Sequence, residues 1–201
     1  MTEESQIQLV GGRLCLDFLN TQIRKQNQEI DLLTDSDHLL AWLRSASVVS
    51  EGEADVLREQ WSRDGRGEQA IHKALILRSA FRRVVQSVRD EQPASSTALA
   101  DLNAALAETL TYPQVRQQGL KFEKSENVTH PATRWLAAIA QDAVDLLCNA
   151  DLTSLKQCDG PTCIRFFYDT TKNHKRRWCS VEKCGSRAKA AAYYQRLRKA
   201  R

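Results

Sequence analysis

The chain has 201 residues, a formal charge of +4, four Pro and eight Gly. That composition argues against collagen-like and disordered classes and leaves room for one domain with a small appendage. No run approaches the roughly 20 apolar residues that a membrane span needs, and the polar, acidic Met1–Gln8 stretch is the opposite of a signal peptide, so the expected setting is the cytoplasm, where thiols stay reduced.

Gly11 and Gly12 precede Arg13–Asn20, whose alternating apolar residues read as the end of a strand over Leu9–Leu16 that turns helical toward Asn20. Asp35 or Ser36 then caps a helix whose apolar face carries Leu39, Leu40 and Leu43, with Trp42 nearby. Ser50 and Glu53 form a capping box, so a second helix is expected from there to about Arg63, ended by Asp64–Gly67. From Glu68 to Arg89, Ile71, Leu75, Arg78, Arg82 and Val85 recur at helical spacing, beside a second stripe of Ala74, Leu77, Phe81 and Val84. Gln92–Ser96 ends that helix and caps another over Thr97–Thr109, rich in Ala and Leu. Tyr112–Val128 reads as a β-hairpin or short strand that could pair with Leu9–Leu16. Thr129 or His130 is expected to cap an amphipathic helix with Pro131 in its first turn and Trp135, Leu136, Ile139, Ala143, Leu146 and Leu147 buried. Cys15 and Cys148 lie in apolar stretches and read as small buried hydrophobes.

The last fifth of the chain differs in kind. From Cys158 to Arg201 there are 12 Lys and Arg against 3 Asp and Glu, whereas Met1–Gln157 carries 17 against 22. The near-neutral total therefore hides a basic block of net +9 behind an acidic one of net −5. Cys158, Cys163, Cys179 and Cys184 read as C-x4-C, fifteen residues, C-x4-C. Two such pairs can close around one tetrahedral Zn²⁺, which takes four thiolates in structural sites. A module of about 40 residues gains from the metal the stability its small core lacks. An iron–sulfur cluster, reversible disulfides or free buried thiols are the alternatives, and His174 could stand in for one cysteine. Phe166, Phe167 and Tyr168 are expected to pack around the site. Lys172–Trp178 is a basic run that can neutralise phosphates. Gly185–Lys199 reads as an Ala-rich basic helix, narrow enough for a major groove; its first turn holds Arg187 and Lys189, where the helix dipole disfavours cations.

These residues carry a resemblance. Cys158 and Cys163, then Phe167-Tyr168-Asp169, then Arg176-Arg177-Trp178-Cys179-Ser180, then Cys184-Gly185-Ser186-Arg187 resemble the CGNR zinc-finger proteins, bacterial transcription regulators with an N-terminal ABATE domain. Ser186 stands where that signature has Asn; it can still cap a helix, but any base contact from the Asn is lost. Leu16–Thr21 and the Leu39–Leu43 helix carry a looser N-terminal match. The resemblance implies a metal-bound DNA-binding module and a mostly α N-terminal domain that senses stress or a ligand.

The resulting expectation is a mostly α fold. A helical sensing or dimerisation domain with a small β-hairpin element (residues 1–152) precedes a basic four-cysteine zinc-finger module with a terminal helix (residues 153–201). The expected cofactor is one structural Zn²⁺ on Cys158, Cys163, Cys179 and Cys184. The expected partner is double-stranded DNA, met by Arg165, Lys172, Lys175, Arg176, Arg177, Arg187, Lys189, Arg196 and Arg198. RNA binding, or a protein partner for the same basic surface, is the alternative. A homodimer and a small-molecule effector fit a regulator, and Asp17, Asn20 and Arg134 are the polar candidates for an effector site. An enzyme is not expected: catalytic zinc keeps an open position that four cysteines close, and H-E-x-x-H, G-x-S-x-G and P-loop patterns are absent.

Overall fold

The computed structural model describes residues 7–107, 111–119, 121–128 and 135–199. In chain order these form α1 (Leu14–Leu19), β1 (Gln22–Lys25), β2 (Gln28–Asp31), α2 (Ser36–Ser45), α3 (Glu51–Asp64), α4 (Arg66–Arg89) and α5 (Ser96–Ala107). There follow β3 (Thr111–Gln118), β4 (Lys121–Val128), α6 (Leu136–Asn149), β5 (Leu155–Gln157), β6 (Phe166–Tyr168) and α7 (Ser186–Lys199). The architecture is mostly α with three two-stranded antiparallel ribbons, β1–β2, β3–β4 and β5–β6.

Local chemistry sets the helix boundaries. The Asp35 carboxylate accepts the His38 N–H and opens α2. Ser50 and Glu53 make the reciprocal bonds of a capping box at the start of α3. Gly65, at φ +70°, ends α3 in the left-handed region that L side chains rarely adopt, so α3 and α4 are two helices rather than one. The expected cap of the sixth helix, Thr129 or His130, and Pro131 lie outside the described residues; α6 begins at Leu136 within them.

Two strand expectations are corrected. The stretch read as a strand over Leu9–Leu16 enters α1 at Leu14, and Cys15, Leu16, Phe18 and Leu19 are all buried there. A short segment buried on nearly every side shows no polar face from which its period could be read. Consequently β3 and β4 pair with each other, Thr111 opposite Val128 through Gln118 opposite Lys121, and not with that segment. The β1–β2 ribbon was not foreseen. Its strands, Gln22–Lys25 and Gln28–Asp31, are short and mostly polar, and its two-residue turn uses Gln26 and Asn27 at positive φ with no Gly to announce it. Cys148 is exposed rather than buried, while Cys15 is fully buried.

The main core surrounds α4, which packs against α1, α2, α3, α5 and α6. Phe18 tilts onto Trp42 at 5.2 Å, and Trp61 meets Trp135 edge-on at 6.2 Å. Buried Arg78 fastens the feet of the β1–β2 ribbon to α4. Its guanidinium donates to the Thr21 hydroxyl at 2.6 Å and pairs through both amino groups with the Asp31 carboxylate. One turn on, Arg82 donates to the Leu19 carbonyl at 2.6 Å.

The cysteine-bearing end joins this core through β6. Neighbouring strand residues point to opposite faces. Phe166 enters the helical core together with Leu155, while Phe167 enters a second cluster with Cys158, Cys179 and Cys184. Asn20, at the end of α1, clamps the junction. Its amide donates to the Phe166 carbonyl at 2.8 Å and accepts the Phe166 N–H at 2.9 Å. The Tyr168 N–H donates to the Gly11 carbonyl at 2.7 Å. Asn20→Ala would leave two buried backbone groups of Phe166 without partners, each a loss of about 1–3 kcal/mol. The variant is expected to lose about 2–4 kcal/mol in urea unfolding followed by circular dichroism; a loss under about 0.5 kcal/mol would mean that water replaces the clamp.

Candidate metal centre and basic surface

The four cysteine sulfurs lie within 4.8 Å of one another, three of the residues buried and Cys163 half-buried. Cys158 and Cys163 flank a tight turn ahead of β6. Cys179 follows the basic loop, and Cys184 sits in a single π-type turn, Val181–Gly185, that leads directly into α7. The Cys163–Cys179 sulfurs are 3.7 Å apart and the Cys179–Cys184 sulfurs 3.6 Å. A regular tetrahedron with Zn–S bonds of about 2.3 Å has edges of about 3.8 Å, so the cluster has the size of a ZnS₄ site. Gly160 lets the first turn close: a Cβ there would stand 3.0 Å from the Cys163 Cβ and 3.5 Å from the Cys158 and Cys184 sulfurs. Donors face the thiolates as well. The Cys179 N–H donates to the Cys158 sulfur and the Arg187 guanidinium to the Cys184 sulfur, each at 3.3 Å. Such bonds orient ligands and stabilise their negative charge. The site fits one structural zinc ion held by these four residues.

The basic loop is built on Asp169, which is fully buried. Its carboxylate accepts the Thr171 N–H and hydroxyl, the Arg176 N–H and the Lys156 ammonium, at 3.0, 2.6, 2.9 and 2.7 Å. Burial works against the charge, but these donors outweigh it and hold the carboxyl well below the usual carboxylate range. The Lys156 ammonium also reaches the His174 carbonyl, and the Ser154 hydroxyl lies 3.0 Å from His174 Nδ1.

The candidate nucleic-acid residues separate into two groups. Lys172, Lys175, Lys189, Arg196 and Arg198 are exposed. Arg177 is exposed too; it pairs with Asp159 at 2.7 Å and lies over the Trp178 ring at 5.2 Å. Arg176 is different. Its guanidinium donates to the carbonyls of Val10, Cys179 and Trp178 at 2.8, 2.7 and 3.1 Å and lies 4.3 Å over the Phe167 ring. Three carbonyls and an aromatic face occupy it, so it braces the finger rather than facing a partner. Arg165 donates to Gln8 at 2.7 Å. Arg187, in the first turn of α7, is directed to the Cys184 sulfur. Ser186 opens α7 with its hydroxyl directed to the Val181 carbonyl at 3.4 Å, and the cap of the preceding turn is Ser180, whose side chain accepts the Lys183 N–H.

The effector candidates are taken up by the fold. Asn20 forms the Phe166 clamp, and Asp17 accepts the Gly11 N–H at 2.7 Å; Arg134 lies outside the described residues. Sequence reasoning missed Asp169 and Lys156 as organisers of the loop. The signal available was an acid in an otherwise basic segment.

Residues 12–150 match the ABATE family, described as "Putative stress-induced transcription regulator", and residues 154–197 match the CGNR zinc finger. The chain belongs to the ABATE family. No curated protein matches the chain. Both descriptions name a regulator and a zinc finger rather than an enzyme, and among the described residues no helix is long and apolar enough to cross a membrane.

Two outcomes test the site and its support. A colorimetric thiol-displacement assay should release one zinc per chain. Chelation should also lower the melting temperature of the ABATE helices, because Phe166 and Leu155 lose the finger that holds them in place; helices that melt unchanged would mean the two cores are independent. Burial pushes the Asp17 carboxyl up to about 6 from 3.8, against the opposing Gly11 N–H. Between those values the folded protein holds a proton that the unfolded chain has released, so stability falls as pH rises from about 4 to about 6. Asp17→Asn, which keeps the acceptor, should remove that component from melting curves recorded across the interval; an unaltered pH profile would assign it to another group.

Proposed function

We propose that this chain is a transcription regulator that binds double-stranded DNA through its zinc-held basic end. On this reading residues 153–201 form the DNA-binding part and residues 1–152 the sensing or dimerisation part. The observation that carries it is α7. It projects from the zinc turn, its principal contact is that turn, and Ser186–Lys199 contains no acidic residue. Lys189, Tyr193 and Arg196 share one helical face, and Arg187, Tyr194 and Arg198 another. A helix so exposed and so uniformly positive suits the phosphate backbone, with one or two of its arginines reaching base edges in the major groove. The four thiolates fix the angle at which it leaves the module.

A second reading has its own observation. Tyr193 and Tyr194 are both exposed, with ring centroids 5.7 Å apart, and exposed aromatics beside cations suit stacking on unpaired bases. Competition between a duplex and a structured RNA separates the two. For the DNA reading, duplex titrations at several salt concentrations should give a log–log slope that becomes shallower by about 2 in the Arg196→Ala, Arg198→Ala double variant. An unchanged slope would remove α7 from the interface, and zinc-loaded protein with no salt-sensitive duplex binding would end the proposal.

A further inference from the structure

We propose that the β1–β2 ribbon of the ABATE portion is a second arm of the nucleic-acid interface, gripping the phosphate backbone opposite the zinc finger. The inference rests on the DNA-binding reading above and extends it to a part of the chain outside the finger. A groove of about 650 Å³ separates the ribbon from the finger. Arg24 and Lys25 line one wall and Arg165, Lys183 and Arg187 the other, with Glu182 the one carboxylate among the lining residues. Arg24 is answered by Glu29 directly across the ribbon, at 2.6 Å. Lys25 and Lys183 form no ion pair among the described residues. Two free ammonium groups from elements more than 150 residues apart in the chain therefore face the same groove.

The arm is fixed, not trailing. A strand advances roughly 3.3 Å per residue, which sets Lys25 about 10 Å out from the foot of the ribbon at Gln22. Both feet are anchored: Thr21 and Asp31 are held by Arg78, and Asn20 ties the same foot to β6 of the finger through Phe166. The groove walls are thus connected by buried hydrogen bonds, and their spacing is set before any ligand arrives. The shape of the charge favours a polyanion over a compact anion. Arg187 belongs to α7, so the groove opens onto the helical face along which Arg198 continues the positive surface. A phosphodiester chain that follows α7 would run into the groove beside Lys25. Two-stranded ribbons are established readers and supports of duplex DNA.

The test uses full-length, zinc-loaded protein and a random-sequence duplex, with affinity followed by fluorescence anisotropy from about 50 to 200 mM salt. One lost phosphate contact lowers the slope by about 0.9, so the affinity ratio between Lys25→Ala and the parent should change about threefold over that range. Lys25→Glu should weaken binding further, and Lys124→Ala, exposed on the longer β3–β4 ribbon, should leave the slope as it is. Parent-like binding by both Lys25 variants, with Arg196→Ala still lowering the slope, would overturn the second arm and leave the finger reading intact. Absence of salt-sensitive duplex binding by the parent would overturn both.

Discussion

The structure depends on a three-residue strand with two faces. Phe166 and Phe167 are adjacent in sequence, yet one ring is buried in the helical core and the other against the zinc cysteines. Strand geometry alone produces this division, and Asn20 secures it by satisfying both backbone groups of Phe166. A buried amide that made only one of these bonds would leave a polar group stranded, which is why the arrangement is specific as well as stabilising. The N-terminal segment adds further ties, since the carbonyls of Val10 and Gly11 accept from Arg176 and Tyr168.

Around this junction the charges divide according to task. Arg78, Arg82 and Arg176 are turned inward onto carboxylate, hydroxyl and carbonyl oxygens and act as cross-braces. Lys172, Lys175, Lys189, Arg196 and Arg198 are turned outward. The planar guanidinium, with five donors in a fixed fork, can serve several acceptors at once, and Arg176 uses it that way. Asp169 completes the division: one buried carboxylate gathers the loop so that its lysines are displayed on a defined backbone.

Much of this was legible in the sequence. The Ser50–Glu53 box, the period of α4 and the C-x4-C pairs are local signals, each with a mechanism that does not depend on distant residues. The four-cysteine centre is likewise set by spacing and ligand chemistry. What escaped was set by tertiary contact. The six residues of α1 are too few and too uniformly buried to declare a period, and β1–β2 is held by Arg78 from a helix 47 residues after Asp31. Arg176 and Arg177 are neighbours of the same type, and only the packed structure shows that one faces Phe167 and three carbonyls while the other faces solvent.

The double burial of β6 bears on portability. Residues 154–197 have the outline of a cassette, a stretch that could be cut out and joined to another protein. Cut there, the fragment would keep its sulfurs and Phe167 but present Phe166 and Leu155 as a bare apolar patch, with the Phe166 amide and carbonyl open to water. It would also lose the Val10 carbonyl that braces Arg176. A host able to accept this finger must supply an asparagine, a helical floor and a passing strand of backbone in the right places. The module is an inlay cut to its setting.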